Sequence, residues 1–138
     1  MRVDIYITSK FHGKIAEGNG VYAVLLDTVL QGRHYRKLHI VGWNGLSFQK
    51  LAVRAAVDGI QYMTAPSEVI IHADSPYAVN VMQSGKADGK KYGELWSTYF
   101  EAAARMKSVE VIFEKEHEYR TKLLEWIARG GYPVTNDR

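Results

Sequence analysis

The sequence contains no cysteine, so disulfides and thiolate metal sites are excluded from its chemistry. It holds only three prolines in 138 residues, with no proline-rich linker, no internal repeat and no low-complexity tract, so a single domain spanning 1–138 is the economical reading. No apolar run approaches the ~18–20 residues that cross a bilayer. The opening Met1-Arg2-Val3-Asp4-Ile5-Tyr6 runs directly into strand-like alternation and lacks the apolar stretch of a signal peptide, which reads as a cytoplasmic protein. His12, His34, His39 and His117 show no His-x-x-x-His spacing, which argues against a zinc site. Gly18-Asn19-Gly20 is not followed by Lys-Ser/Thr, so it is not a phosphate loop.

What is present is an ordinary globular composition, 46% hydrophobic and 24% charged, enough to bury a core at this length. The net charge of +3 permits nucleic-acid binding without requiring it. Basic residues gather at Arg33, Arg36 and Lys37 and again at Lys86, Lys90 and Lys91. Acidic ones gather late, at Glu110 and from Glu114 to Glu118.

Alternation predicts strands over 3–8, 21–29 and 35–43, with a glycine-bearing loop or wide hairpin connection over 10–20. Ser47 is a fair N-cap for a helix reaching about Met63, with Leu51, Ala55, Ile60 and Met63 at helical spacing. Glu68 to Ala73 suits a buried central strand, and Ser75-Pro76 opens a short helix. A loop over 85–89 leads to a helix over 92–106, where Leu95, Trp96, Tyr99 and Phe100 read as core. Trp43 and Trp126 read the same way. Val109 to Phe113 is a fifth strand, and a helix over 117–129 is stopped by Gly130-Gly131. Three consecutive strands favour an antiparallel meander, and the later β–α–β order favours parallel strands. The prediction is a mixed five-stranded α/β sheet with helices on both faces.

That order resembles the ribonuclease H family along nearly the whole chain. Val3-Asp4-Ile5-Tyr6 is similar to the family's opening strand, and Gly18 to Leu25 to its glycine-rich second strand. Lys50-Leu51-Ala52 resembles the start of its first helix. Val69-Ile70-Ile71-His72-Ala73-Asp74-Ser75 resembles its strand ending in Asp-Ser, and the family's later motifs are matched by Glu94-Leu95-Trp96 and Lys115-Glu116-His117. The resemblance implies a ribonuclease-H-like fold. It also implies an activity, in which four acidic residues hold two Mg²⁺ ions that cleave RNA in RNA–DNA hybrids.

The family's acids carry over poorly. Its first falls on Thr8, its second on Lys50 and its third on Asp74, while the fourth matches either Leu124 or Glu125. Thr8, Lys50, Asp74 and Glu125 present a net −1 where four carboxylates present −4. Opposite charges in contact attract by several kcal/mol at an effective dielectric of ~20, so the expectation is no bound metal or other cofactor, with Asp74 the ligand if Mg²⁺ is held at all. An ion pair between Lys50 and Asp74 would occupy the vacated space. Asp4 shares a sheet face with Thr8 but lies roughly 13 Å away along the strand. The segment around His117 lacks the family's flanking glycines, which leave that histidine mobile.

Plainer roles stand beside these. Asp74 caps the helix that follows, His72 is a satisfied strand histidine, and Glu125 pairs with Arg129 one helical turn on. The leading expectation is a catalytically degenerate module that binds nucleic acid weakly through Lys86, Lys90 and Lys91, because the family's basic handle is truncated to 84–91. The alternatives are an active Mg²⁺-dependent ribonuclease H resting on Asp74, Glu125 and an unrecognised third acid, with His117 a further catalytic candidate, and a protein-interaction or assembly module using an exposed sheet edge.

Overall fold

A computed structural model describes Met1 to Asp137. The elements, in chain order, are β1 (Arg2–Lys14), β2 (Glu17–Leu30), β3 (Arg33–Leu46), α1 (Phe48–Gln61), β4 (Glu68–Ala73), α2 (Pro76–Ser84), α3 (Gly93–Ala104), β5 (Ser108–Phe113), α4 (Arg120–Arg129) and β6 (Val134–Asn136). They build one mixed sheet in the order β5-β4-β1-β2-β3-β6. β1, β2 and β3 form an antiparallel meander, while β4 and β5 add in parallel beside β1.

Among the described residues the sheet has six strands, not five. The sixth, β6, is three residues long and pairs in parallel with β3 over Gly42 to Asn44. Its exposed Val-Thr-Asn carries too little periodicity to read as a strand. The stretch 10–20 is likewise mostly strand, because β1 and β2 stay paired as far as Lys14 and Glu17. The glycines there serve close packing more than turning. A Cβ on Gly20 would overlap the side chain of Leu51 on α1.

Alternation along β1 sorts its side chains between two layers. Val3, Ile5 and Ile7 join Tyr22, Val24 and Leu26 beneath α1, α2 and α3, where Leu51, Val53, Ile60, Trp96 and Tyr99 close the main core. Tyr6 faces the other way and packs with Val21, Ala23, Leu25, Leu123 and Ile127 under α4 alone. Trp96 and Tyr99 are fully buried, and Phe100 and Trp43 pack against the same core. Trp126 is 39% exposed, and the guanidinium of Arg129 lies 4.3 Å over its ring instead of a core wall. With a single helix covering that face, the side chains beyond Leu123 and Ile127 stay outside.

Ser47 caps α1 by accepting from the Lys50 N–H at 3.0 Å, as its position before a periodic segment suggests. α2 begins at Pro76 and ends on Gly85 at φ 71°, a left-handed residue that glycine adopts without strain. Among the described residues no helix is long and apolar enough to cross a membrane.

Leu51 lies 1% exposed under the β1–β2 hairpin. Leu51→Ala is expected to lower stability by about 2–5 kcal/mol in urea unfolding. Ile15→Ala, at a site 75% exposed, is expected to stay within about 0.5 kcal/mol of the parent.

Candidate functional site

Parallel pairing of β1 with β4 runs from Arg2 opposite Glu68 to Tyr6 opposite His72, then stops. Past that point a small cleft of about 100 Å³ opens, lined among others by Ser9, Phe11, Phe48, Leu51, Asp74 and Lys115. Asp74 accepts a 2.7 Å hydrogen bond from the Ser9 N–H and a longer one from the Ser9 hydroxyl, bridging the gap the ladder leaves. It does not cap α2. Ser75 does, accepting from the Ala78 N–H at 3.2 Å. Burial pushes the Asp74 carboxyl above its ordinary range, against the lowering effect of the Ser9 bonds and, more weakly, of Arg120. The rings of Phe11 and Phe48 meet edge to face at 5.5 Å beside it, giving the cleft an apolar wall.

Thr8 is fully buried on the opposite sheet face and bonds His117 Nε2 through its hydroxyl at 2.8 Å. The same ring nitrogen lies 3.2 Å from the Ile7 carbonyl, while His117 Nδ1 accepts from the Tyr119 N–H. A ring that accepts at Nδ1 carries its proton at Nε2, so the neutral imidazole satisfies the whole arrangement. Burial lowers the His117 pKa, partly opposed by the Ile7 carbonyl. These bonds fix the ring in place, and α4 begins only at Arg120 because 117–119 form the anchoring turn.

Lys50 takes no part in the cleft. Its ammonium bonds Asp137 Oδ2 at 2.6 Å, and Arg54, one turn along α1, bonds Asp137 Oδ1 at 2.6 Å. The expected pair with Asp74 is therefore replaced by one with the chain's tail. Burial alone would raise the Asp137 carboxyl, but the two cations outweigh it and hold it below the ordinary range. Arg54 also lies 4.2 Å over Trp43, whose indole N–H donates to the Tyr22 hydroxyl at 3.0 Å, and Tyr22 in turn donates to Asp58.

Glu125 is exposed, Leu124 is half-buried, and no ion pair joins Glu125 to Arg129 among the described residues. No hydrogen bond or ion pair joins any two of Thr8, Lys50, Asp74 and Glu125 there, and no three acidic or histidine side chains are placed to hold a metal ion. Lys86, Lys90 and Lys91 are exposed in the loop before α3. The Tyr92 hydroxyl ties that loop to Ser47 at 2.6 Å, with the Lys91 and Lys50 ammonium groups 5.3 and 5.9 Å from the Tyr92 ring centre. His72 is satisfied at both ring nitrogens, by Glu114 at 2.6 Å and Asp4 at 2.8 Å, and stacks on Tyr6. Asp137, Phe11 and Phe48 had no family motif to mark them. Only the tail's lone acid near its end and the aromatics flanking each polar position gave a signal.

No protein-family model matches the sequence, and no curated protein matches it. Among solved structures the chain is similar to LC9-RNase H1, a type 1 RNase H with the type 2 active-site motif, at TM-score 0.75 and 18% identity over 94% of this chain and 72% of that one. It is also similar to the protease-reverse transcriptase of prototype foamy virus, at TM-score 0.70 and 12% identity over 96% of this chain and 21% of that one. The fold is ribonuclease-H-like.

Two titrations follow from this geometry. An imidazole with a depressed pKa contributes stability that is full above its ordinary 6.5 and falls as pH drops below it, because the unfolded chain then binds the proton more readily. Urea midpoints are expected to decline from about pH 6.5 downward, and His117→Gln should flatten that step. The depressed Asp137 carboxyl contributes stability that is full above the ordinary aspartate value of 3.8 and is lost as pH falls from there through its lower value in the folded protein. Asp137→Ala is expected to cost about 2 kcal/mol at neutral pH and to remove the acid step.

Proposed function

We propose that this chain, a ribonuclease-H-like domain, has given up two-metal hydrolysis and serves as a binding module with weak affinity for RNA–DNA hybrids. The observation that carries the reading is the fate of the positions where the family holds its acids. One is a hydroxyl bonded to His117, one is an ammonium bonded to Asp137, one is the retained Asp74 bonded to Ser9, and the fourth falls on half-buried Leu124 or exposed Glu125. The first three already have protein partners, and Phe11 and Phe48 wall the cleft.

That donor set does not fit a pair of Mg²⁺ ions. Mg²⁺ takes near-octahedral oxygen coordination and relies on carboxylates to offset its charge. Asp74 alone offers at most one negative charge, and its burial favours the neutral acid. Without the ions no residue lining the cleft supplies a metal-bound hydroxide, and the Lys115 ammonium on its wall is one monovalent charge in place of two dications. His117, buried and neutral, makes three contacts that hold its ring still.

Support for hybrid binding is electrostatic. Lys86, Lys90 and Lys91 stand exposed together, and Tyr92 holds their loop against the start of α1. Such a grip is a phosphate contact set without base readout. The two similar solved structures carry RNase H and reverse transcriptase in their names, which makes the hybrid the natural probe.

The test is cleavage of a labelled RNA–DNA hybrid by purified protein in Mg²⁺ and then in Mn²⁺. The expected rate equals that of Asp74→Asn, and cutting that the parent sustains but Asp74→Asn loses would overturn the reading. Fluorescence anisotropy with the same hybrid is expected to show weak binding. Three phosphate contacts lose roughly 40-fold in affinity between about 50 and about 200 mM salt. Replacing Lys86, Lys90 and Lys91 together by alanine should flatten that dependence, and an unchanged slope would place the grip elsewhere.

A further inference from the structure

β6 covers only the upper end of β3, over Gly42 to Asn44. The Gly42 N–H donates outward to the Pro133 carbonyl, and the Asn44 carbonyl accepts from the Asp137 N–H, both at 2.8 Å. Pairing with β2 is uninterrupted from Asn44 back to Arg33. Alternation along that stretch therefore directs the N–H and C=O groups of His34, Arg36, Leu38 and Ile40 outward as well. Among the described residues no strand pairs with them. Free edges of this length are a template for another chain.

Both sheet faces beside this edge carry an apolar hollow. On the α1 face, Tyr35, Lys37, Tyr62, Met63 and Leu26 line a cavity of about 370 Å³. On the α4 face, Leu38, Leu25, Leu123, Trp126 and Lys122 line one of about 280 Å³. Tyr35 is 53% exposed and Leu38 36%. A strand laid along β3 projects successive side chains to opposite faces, so adjacent large residues would enter the two hollows.

Charge selects the occupant. Arg33, Arg36, Lys37 and Lys122 surround the edge, and Asp27, the carboxylate beside Arg36, is engaged by His34, Arg36 and Tyr119. A second copy pairing antiparallel here would set Lys37 against Lys37 with Arg33 and Arg36 along the same seam, and like charges opposed across strands destabilise the pair. An acidic segment meets no such repulsion. We propose that residues 34–40 of β3 are a docking edge for an extended acidic polypeptide with two adjacent large apolar residues, which joins the sheet as an added strand. This surface is separate from the lysine loop and stands whether or not hybrids bind.

The test uses the full chain and a fluorescein-labelled peptide, Glu-Asp-Phe-Leu-Val-Asp-Glu, in anisotropy titrations. Saturable binding is expected, lost when alternate backbone amides of the peptide are N-methylated. Leu38→Pro removes an outward N–H without breaking a bond to β2 and should weaken binding by about tenfold, with the thermal midpoint close to the parent's. The double variant Lys37→Glu, Lys122→Glu should weaken it by a similar factor with the backbone edge intact. The proposal is overturned if the N-methylated peptide binds as well as the parent peptide, or if no saturable binding occurs below about 1 mM, a standard free energy of roughly −4 kcal/mol. Dimerisation of the protein that Leu38→Pro abolishes would overturn it in favour of a second copy. A double variant that loses hybrid binding but keeps the peptide would assign the basic cluster to nucleic acid and overturn it too.

Discussion

A lysine and an arginine one turn apart on α1 share a single carboxylate, that of Asp137, and much of the upper sheet is arranged around that contact. The carboxylate is 5% exposed and the two cations about a fifth, so the charges are screened too little for the pair to be ornamental. Removing one partner would leave the others facing a low dielectric. The tail is therefore held where Asp137 can reach α1, and the preceding residues, Val134 to Asn136, are laid beside β3. A short strand of exposed side chains has no burial of its own to hold it there. The ion pair fixes it together with the backbone bonds between Gly42 and Pro133 and between Asp137 and Asn44.

The cleft at the ends of β1 and β4 is furnished by a separate contact. Lys50 bonds Asp137, while the Asp74 carboxylate accepts from the Ser9 N–H across the gap in the ladder. Thr8, one residue before that N–H, points to the other face and completes the bonding of His117. Thr8, Lys50 and Asp74, where the resemblance places three of the family's acids, thus sit in three separate local interactions among the described residues.

The sequence carried the fold further than the site. Alternation and β-branched or aromatic residues marked the first three strands, a short apolar run between turn signals marked β4 because a strand buried on both faces loses its alternation, and Ser47 and Ser75-Pro76 marked helix starts through capping chemistry that is local. The stretch 10–20 read as a loop or wide hairpin connection rather than paired strand because Gly18 and Gly20 look like turn residues, when Gly18 lies against His12 and Phe11 across the hairpin and Gly20 against the Leu51 side chain about thirty positions away. β6 was hidden for the same kind of reason, since its place depends on Asp137 meeting Lys50 and Arg54. The sequence showed Thr8 and Lys50 where the resemblance places acids, and an acid kept at Asp74. Their partners were not, because Ser9, His117 and Asp137 are set by tertiary contact and leave no spacing signature.

The late start of β6 also leaves a consequence at the opposite end of β3. A final strand beginning earlier in the chain would have paired more of that edge, but β6 begins opposite Gly42 and runs parallel toward Asn44, and among the described residues no strand pairs with the outward groups from His34 to Ile40. Such an edge invites self-association unless charge or shape forbids it. Arg33, Arg36 and Lys37 provide the charge, and placing it on this edge discourages copies of the chain from pairing while leaving a chain of opposite sign unopposed. Edge protection and partner selection are then one electrostatic property. The apolar hollows on both faces add what protection alone does not require, which is somewhere for a partner's side chains to go.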